Sequence, residues 1–354
     1  MLIPVIPNLD HFQAHPPIHI MAGTTAGPHG LTPSQVKAAY NLPPTGGSGT
    51  IAIVSAYHHP DIATDLAGFD AQFGLPACTV KNKCLNIHAI KSGTKDDSGW
   101  DMETALDAEW AHAIAPQAKL LIVEAGSDGG ADLVKAVDYA RGVKDVVAVS
   151  MSWGGGEFPD EVKLESHFTA THPVAFFASS GDDGAGASWP AVSPGVIAVG
   201  GTSLSVDAGG RFLSEKAWTG SGGGISAYEK EPSWQMAYSI PRTGSKRAIP
   251  DVAYAADPAH GFSVYHKPGG PNKPGGGWYV VGGTSAGAPQ WAAIQALGHA
   301  ATPANLYDDK SSVAAEAYFR DIISGTNGSC AYYCTARKRY DYVTGLGAPL
   351  TYRF

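Results

Sequence analysis

Short apolar runs alternate along the chain with segments in which apolar residues recur at helical spacing. The apolar runs are rich in Val, Ile and Ala, which is typical of strands buried on both faces. The predicted strands are Thr50–Ala56, Leu85–Ile90, Lys119–Ala125, Asp145–Ser152, Val174–Ser180 and Val196–Thr202. The predicted helices are Pro33–Tyr40, Asp61–Phe73, Gly99–Ile114, Gly130–Arg141, Glu161–Ala170 and Ser285–His299. This alternation predicts βαβ units and therefore an α/β fold with a mainly parallel sheet.

Two stretches rich in Gly, Ser and Pro interrupt the alternation, at Thr219–Ser226 and Lys267–Gly277. Neither borders a shift in composition, and we find no internal repeat, so both are predicted as surface loops rather than domain linkers. Open α/β enzymes often reach 354 residues as one unit, and we predict a single domain over residues 1–354. Residues 1–20 lack the basic start and long apolar stretch of a secretion signal, so we expect a secreted protein to be present in processed form.

Composition narrows the classes of function. The net charge is −8 and the Lys and Arg residues are scattered, which argues against a nucleic-acid-binding protein. No apolar run reaches the roughly 18 residues that a membrane helix needs. Charged residues make up 16% of the chain, against roughly 25% in ordinary soluble domains. Because protonated Lys, Arg and His repel one another in acid, this low density of charge permits function at low pH.

The four cysteines fall into two local pairs, Cys78 with Cys84 and Cys330 with Cys334. Four cysteines allow three connectivities, and sequence neighbours close the easiest loops. Neither pair is followed by the second Cys or His pair of a zinc site. Two short disulfides would indicate an oxidising compartment, and the alternative is four reduced, buried thiols in a cytosolic protein.

A candidate nucleophile lies at the start of the last predicted helix, in Gly282-Gly-Thr-Ser-Ala-Gly-Ala-Pro289. Small residues around Ser285 allow a substrate backbone to approach. The helix directs its free N–H groups and the positive end of its dipole towards the Ser285 hydroxyl. Attack by a serine creates an oxyanion that needs such donors. The alternative is that Thr284 or Ser285 is an ordinary N-cap.

A serine nucleophile needs a base. Subtilisin-type hydrolases have a similar Gly-Thr-Ser motif and take the base from a His-Gly-Thr segment that opens a helix. Here the two His-Gly pairs, His29-Gly30 and His260-Gly261, are not followed by Thr. The predicted helix Gly99–Ile114 instead carries Glu103 and Asp107 one turn apart on one face. Neighbouring carboxyls tend to share a proton. The alternative places both acids on a solvated edge of the helix.

A third carboxyl group lies in the segment Phe176–Gly186, where a buried strand ends in a glycine-rich turn. This is the usual location of a catalytic group in an open α/β sheet. Asp182 and Asp183 could also be turn formers or metal ligands, although their spacing matches no calcium loop.

Together these segments resemble the sedolisin, or serine-carboxyl peptidase, family. The family's Glu-x-x-x-Asp motif matches Glu103 to Asp107, and its Ser-Gly-Asp-x-Gly turn matches Ser180 to Gly184. Its Gly-Thr-Ser-x-x-x-Pro motif matches Gly283 to Pro289. Each motif alone is weak, but the similarity continues in one order from about residue 30 to the C-terminus, and the ordered set is specific.

The resemblance implies a subtilisin-like fold, a doubly wound sheet with helices on both faces. It implies Ser285 as the nucleophile, Glu103 as the base, Asp107 as the acid that holds Glu103, and Asp182 as the oxyanion donor. The expected activity is acid-optimal hydrolysis of peptides or proteins through an acyl-enzyme, with the choice between endopeptidase and tripeptidyl peptidase left open. The resemblance also implies a secreted monomer, made as a precursor whose pro-segment is removed.

Residues that bind the substrate are implied less directly. In this family two segments flank the cleft, and here they would pair with the substrate backbone as added strands. The residues concerned are Ser152, Trp153, Gly154, Gly222, Gly223 and Gly224. Glycine at these positions would allow the close approach of another backbone.

One structural calcium ion is also implied by the resemblance. Asp321, the Ile322 carbonyl and Asp341 match the family's ligands. The two glycines that usually precede the second aspartate are replaced by Arg337 and Arg339. Backbone carbonyl ligands do not require glycine, but a guanidinium could neutralise Asp341 in place of calcium.

Two other classes of function stay open. A Ser-His-Asp hydrolase of the subtilisin type would need one of the 13 histidines and would work best at about pH 8. A catalytically inactive secreted binding protein would keep the motifs as scaffold and show no turnover.

Overall fold

The structure is a computed structural model that describes residues 9–267, 276–298, 302–307 and 317–352. The strands in chain order are β1 (His19–Thr25), β2 (Thr50–Ala56), β3 (Leu85–Ala89), β4 (Lys119–Ala125), β5 (Val146–Met151), β6 (Gly155–Gly156), β7 (Ala175–Ser179), β8 (Ser188–Trp189), β9 (Val196–Val206), β10 (Phe212–Ala217), β11 (Gly224–Lys230), β12 (Lys246–Ile249), β13 (Val252–Ala255), β14 (Phe262–His266), β15 (Gly277–Gly282), β16 (Phe319–Arg320) and β17 (Ala348–Pro349). The α-helices are α1 (Pro33–Ala39), α2 (Ile62–Phe73), α3 (Ser98–Ile114), α4 (Gly130–Gly142), α5 (Ser233–Tyr238), α6 (Gly287–Ala296) and α7 (Pro303–Tyr307).

The predicted α/β architecture is confirmed. The main sheet has the strand order β10-β9-β7-β5-β2-β4-β3, with β13 also paired to β9. Its pairs are parallel except for β10, which lies antiparallel to β9 at one edge. The central strand β2 is buried along its whole length, as an apolar strand covered on both faces must be.

Helices cover both faces of the sheet. Ile51 and Ile53 of β2 pack into the hydrophobic core that also contains residues of α3 and α6. Ala52 and Val54, which point the other way, pack into the core that contains residues of α4. The sheet is therefore the central layer between two cores.

One predicted helix is wrong. Residues Glu161–Ala170 form two short 3₁₀ turns, Glu161–Lys163 and Glu165–Phe168, and no α-helix. Thr169, Thr171 and Pro173 follow, and β-branched residues and proline disfavour continuation of the helix. The first turn is fixed locally because the Glu161 carboxylate accepts a hydrogen bond from the Phe158 N–H at 2.9 Å.

Strands β1, β6, β8 and β10–β17 and helices α5 and α7 were not predicted, and the remaining differences lie at the ends of predicted elements. The predicted helix Ser285–His299 is a 3₁₀ turn over Thr284–Ala286 followed by α6, and His299 lies outside the described residues. The predicted loop Thr219–Ser226 runs into β11 at Gly224. Most of the predicted loop Lys267–Gly277 also lies outside the described residues.

Both local cysteine pairs, Cys78–Cys84 and Cys330–Cys334, are disulfides. The alternative of four reduced thiols is therefore wrong. Among the described residues, none of the helices has the length and apolar character required to span a bilayer.

Candidate active site

Helix α3 carries the two predicted acids through the interior of the protein. The Asp97 side chain caps the helix by accepting hydrogen bonds from the N–H groups of Gly99 and Trp100. Every residue from Trp100 to Ile114 is buried. The alternative that Glu103 and Asp107 lie on a solvated edge is therefore wrong, and the pair needs a partner or a proton.

Ser285 faces this pair from a turn at the end of β15. Gly283 adopts a φ of 123°, which favours glycine, and the chain then forms the 3₁₀ turn that leads into α6. This turn and α6 both pack against α3. Ser285 lies inside the turn and its hydroxyl is buried without a hydrogen bond to the described residues, so the serine is not an N-cap.

The two acids of α3 cannot both be charged in this environment. Burial raises the pKa of Glu103, and the neighbouring charge of Asp107 raises it further, while the nearby Ser285 hydroxyl lowers it. Burial also raises the pKa of Asp107, against hydrogen bonds from Ser152 and Glu103 that lower it. Close carboxyls of this kind titrate as a unit and share a proton. The effect of the Ser285 hydroxyl on the pKa of Glu103 places the two side chains next to each other.

Ser152 connects the acid pair to the serine. Its Oγ lies 2.7 Å from Asp107 Oδ1 and 3.1 Å from the carbonyl oxygen of Ser285. Ser152 is 1% exposed, so these contacts are shielded from water. The Ser152 side chain thus links Asp107 to the Ser285 turn, and pairing of its backbone with the substrate stays a prediction.

Asp182 lies beside the same turn. Its Oδ1 accepts hydrogen bonds from the Thr284 N–H and the Thr284 hydroxyl, both at 2.8 Å. Burial raises the pKa of Asp182, and hydrogen bonds from His19 and Thr284 lower it. Because Thr284 fixes one oxygen, the other oxygen, Oδ2, is left to face the cleft.

An N-terminal segment, residues 12–19, fills the cleft in front of Ser285. His15 pairs with Gly154 through two backbone hydrogen bonds of 3.0 and 3.2 Å. On its other edge the segment pairs with residues 128–130, where Ala14 N–H donates to the Asp128 carbonyl. Further along, the carbonyl of Pro17 accepts the Ser285 N–H at 3.4 Å. The segment therefore lies across the cleft as an added strand, as a peptide substrate would.

A cavity of 540 Å³ lies beside this segment. Its walls are Gly154–Gly156, Ser179–Ser188 and Gly222, together with residues 15–19 of the segment. The turn that carries Asp182 and the backbone edge at Gly154 therefore line one cavity.

The remaining predicted substrate-binding residues have different positions. Trp153 is fully buried and its indole N–H donates to the Val54 carbonyl at 3.0 Å, so its side chain packs in the core. Gly222 lines the cavity. The backbone of Gly223 is already paired with Gly186, and Gly224 is paired with Ile249 in β11–β12. Substrate pairing by the last two stays a prediction.

The loop predicted to hold calcium binds both of its carboxylates through backbone donors. Arg339 N–H donates to Asp321 at 2.8 Å, and Arg337 N–H donates to Asp341 at 3.0 Å. Arg339 adopts a φ of 67°, the conformation that glycine favours. Within the described residues, neither arginine forms a side-chain ion pair with Asp341, and the Arg337 guanidinium instead stacks on Tyr332. Among the described residues no side-chain cation therefore neutralises the buried Asp341 carboxyl, and calcium binding by Asp341, Asp321 and the Ile322 carbonyl stays a prediction.

Sequence reasoning missed the contributions of His19, of residues 128–130 and of the Ser152 side chain. His19 Nε2 lies 3.2 Å from Asp182 Oδ2. The run Ser127-Asp-Gly-Gly130 offered the only sequence signal, a glycine-rich turn after a buried strand. The N-terminal segment offered none, because it has no helical or alternating pattern.

The sequence of this chain is similar to those of known peptidases. The sequence model of the subtilase family matches residues 90–326. Kumamolisin from Bacillus sp. (strain MN-32) is 34% identical over 371 residues, which cover 93% of this chain and 64% of kumamolisin. Sedolisin from Pseudomonas sp. (strain 101) is 27% identical over 380 residues, which cover 93% of this chain and 61% of sedolisin. The chain thus matches less than two thirds of the length of either relative.

A solved structure has a similar fold. Pseudomonas sedolisin, described as a serine-carboxyl proteinase complexed with two molecules of pseudo-iodotyrostatin, matches with a TM-score of 0.74 and 26% identity. The match covers 92% of this chain and 96% of the sedolisin chain. The chain therefore belongs to the subtilase family, and within it to the sedolisins, with a subtilisin-like fold.

Proposed function

We propose that this protein is an acid-active serine-carboxyl peptidase that hydrolyses peptide bonds through an acyl-enzyme. The observation that carries the proposal is the buried acid pair Glu103–Asp107 placed next to the unpartnered Ser285 hydroxyl. A serine nucleophile needs a proton acceptor within reach, and a carboxylate can act as one in acid, where a histidine would be protonated.

The proposed reaction begins with the acid pair carrying one proton. Ser285 Oγ attacks the substrate carbonyl carbon while its proton moves to Glu103, and Asp107 holds Glu103 through their shared proton. Glu103 then gives the proton to the leaving amine, and the ester formed on Ser285 is hydrolysed by water in the same way.

Asp182 would stabilise the oxyanion in its protonated form. Thr284 fixes Oδ1 as an acceptor, so the carboxylic proton is on Oδ2, on the cleft side. A neutral carboxyl donor has precedent in sites where burial raises its pKa. Together with the Ser285 N–H it would supply two donors, and one such donor is typically worth about 3 kcal/mol of the barrier.

The experiment that tests this proposal is digestion of a peptide library at pH 4 and pH 8 by the wild-type chain and by Ser285→Ala. We expect hydrolysis at pH 4, little at pH 8, and a loss of several orders of magnitude in the variant. Turnover that peaks at pH 8 would favour the His-dependent hydrolase instead. No turnover by a folded wild-type chain at either pH would favour the inactive binding protein. The cleavage sites also distinguish an endopeptidase from a tripeptidyl peptidase.

The family relationship supports further parts of the proposal. The substrates are peptides or proteins, and the protein acts as a secreted monomer whose pro-segment is removed during maturation. Two disulfides are consistent with an oxidising, extracellular compartment. Size-exclusion chromatography with light scattering tests the monomer, and the secreted fraction of an expression culture tests the compartment.

We also propose that Asp321, the Ile322 carbonyl and Asp341 hold one calcium ion, which would tie the C-terminal loop to the strand segment before it. The supporting observation is the buried Asp341 carboxyl that no arginine side chain neutralises among the described residues. Metal analysis before and after mild chelation, together with a melting curve, tests this. A chain that contains no calcium and melts unchanged after chelation would contradict it.

A further inference from the structure

His19 and Asp182 form a contact that the proposed reaction does not use. His19 Nε2 lies 3.2 Å from Asp182 Oδ2, and the imidazole also packs edge-on against Trp218, with ring centroids 5.9 Å apart. Asp182 Oδ2 is buried and makes no other polar contact with the described residues. The carboxyl oxygen that faces the cleft is therefore taken by a side chain of the N-terminal segment.

The contacts of the N-terminal segment, residues 12–19, determine the position of His19. Phe12 anchors one end, where its ring packs against Phe158 and Trp189 at centroid distances of 5.7 and 4.9 Å. The strand pairing at His15 follows, and the Pro17 carbonyl then faces the Ser285 N–H. His19 thus lies two residues beyond the position that faces the nucleophile.

The path at Pro17 also differs from that of an extended substrate. Ile18 N–H donates to the Pro16 carbonyl at 3.0 Å, which closes a tight turn centred on Pro17. Pro16 and Pro17 have no backbone N–H, so the strand pairing made by His15 cannot continue towards Ser285. The segment is therefore held on both sides of Ser285 but bent at the position that faces it.

We propose that Asp182 and Trp218 form a binding subsite for a histidine side chain two residues beyond the position facing Ser285. In this chain His19 fills that subsite and slows the reaction at the pH values where His19 is protonated and Asp182 is charged. The inference rests on the proposed function, because it takes Asp182 as the oxyanion donor. A histidine bound to Asp182 Oδ2 blocks the oxygen that would donate to the oxyanion. When this histidine is protonated, it also stabilises Asp182 as a carboxylate, which has no proton to donate.

The charged groups around this contact determine its pH dependence. Asp183 faces His19 from the same loop as Asp182, and the two carboxylates together raise the pKa of His19. On the other side of Asp182 lies Glu103, whose pKa the Asp182 charge raises. The turn packed against β1 carries His260, which faces Asp257 rather than His19. The contact is therefore strongest where His19 is protonated and Asp182 is charged, and it is lost in acid when Asp182 gains a proton.

A kinetic comparison tests the inhibitory role of His19. The full chain is assayed on a fluorogenic peptide at pH 4 and pH 6 as wild type, as His19→Gln, and as His29→Gln, an exposed histidine outside the segment. We expect the rate of His19→Gln at pH 6 to be about fivefold that of wild type, because one partly exposed, charge-assisted contact is lost. At pH 4 the two rates should be nearly equal. His29→Gln should match wild type at both values. Equal rates for His19→Gln and wild type at pH 6, or the same ratio at both pH values, would overturn the inference.

An NMR titration tests the subsite without turnover. The pKa of His19 is measured in the Ser285→Ala chain and in the Ser285→Ala/Asp182→Asn chain. We expect the pKa of His19 to be higher in the first chain, because the Asp182 carboxylate stabilises the imidazolium. Equal pKa values in the two chains would contradict the subsite even if the peptidase activity is confirmed. Conversely, a difference in a chain without peptidase activity would leave the subsite standing and the proposed function wrong.

Discussion

At the residue scale, the proposed chemistry depends on carboxyls whose protonation is determined by burial and by single hydrogen bonds. Glu103 and Asp107 share the interior of one helix, and Asp182 is fixed on one oxygen by Thr284. Spacing along the helix could predict that the first two share a face. It could not predict Ser152 as the link to the Ser285 turn, because that contact joins segments that are distant in sequence.

Ser152 can be tested as a positioning residue. In Ser152→Ala the hydrogen bond that lowers the pKa of Asp107 is lost, so the acid limb of the pH–rate profile should move to higher pH. We expect kcat to fall about tenfold with little change in KM, since one charge-assisted hydrogen bond is removed. Ser152→Thr, which keeps the hydroxyl, should recover part of the rate. An unchanged pH profile in Ser152→Ala would show that the hydroxyl acts only in packing.

Asp182 can be tested by removing its ability to ionise. Asp182→Asn keeps an acceptor for Thr284 and presents an N–H donor that does not titrate. We expect Asp182→Ala to lose about 10² to 10³ in kcat. Asp182→Asn should lose less, and its activity should persist to higher pH than that of wild type. If the activity of Asp182→Asn falls at the same pH as that of wild type, the loss of activity towards neutral pH is caused by the ionisation of another group.

At the element scale, the accuracy of the sequence predictions follows from how each element is stabilised. Strands β2 and β4 have the predicted bounds because continuous apolar runs are buried on both faces. The sequence did not predict strands β10 to β12, because their residues are largely exposed or polar. These strands form through pairing, β10 with β9 and β11 with β12. The path of residues 12–19 could not be predicted, since it is fixed by Gly154 and by residues 128–130 and not by a local pattern.

The loop between β10 and β11 gives a test at this scale. A Cβ on Gly222 would lie 2.1 Å from the Ser180 carbonyl oxygen, in the turn that carries Asp182. Gly222→Ala should therefore displace that turn, with a fall in kcat of tenfold or more, about 1.4 kcal/mol, and a lower melting temperature. Gly224→Ala is the matched control, because its Cβ would meet nothing closer than 3.7 Å. Equal activity for the two variants would show that the turn tolerates the shift.

At the scale of the whole molecule, buried carboxyls suit the protein to acid. Burial is the main cause that raises the pKa of several of them, to about 6 for Asp101, about 7 for Asp70, Glu165 and Glu229, and about 9 for Glu161. A carboxyl with a raised pKa contributes its full stabilisation below the unfolded pKa near 4. That contribution is lost as the pH rises towards the folded pKa. The low density of charged residues only permits stability in acid. The buried carboxyl groups give a physical cause for stability that is higher in acid than at neutral pH.

We therefore expect the melting temperature to be higher at pH 4.5 than at pH 7.5 by roughly 5 °C. Some carboxyl groups have lowered pKa values and therefore stabilise the protein at higher pH: Asp65, Asp132 and Asp138. Hydrogen bonds from histidine, lysine, arginine or serine partners lower these pKa values. Such groups are fewer than the carboxyl groups whose pKa is raised. Glu161→Gln should flatten the dependence on pH, while Asp145→Asn, at an exposed carboxyl, should not. Calorimetry across this range checks the prediction, and stability that rises steadily to pH 7.5 would contradict it.

The most direct test of the account is the turnover number of Glu103→Gln on a peptide substrate, measured at the wild-type optimum with folding verified by circular dichroism. Glutamine keeps the shape of the side chain but cannot accept the proton of Ser285. The account predicts a loss of at least about 10³ in kcat, because the base next to the hydroxyl is removed. A folded variant with turnover close to wild type would contradict it, since proton transfer would then have to use a different group.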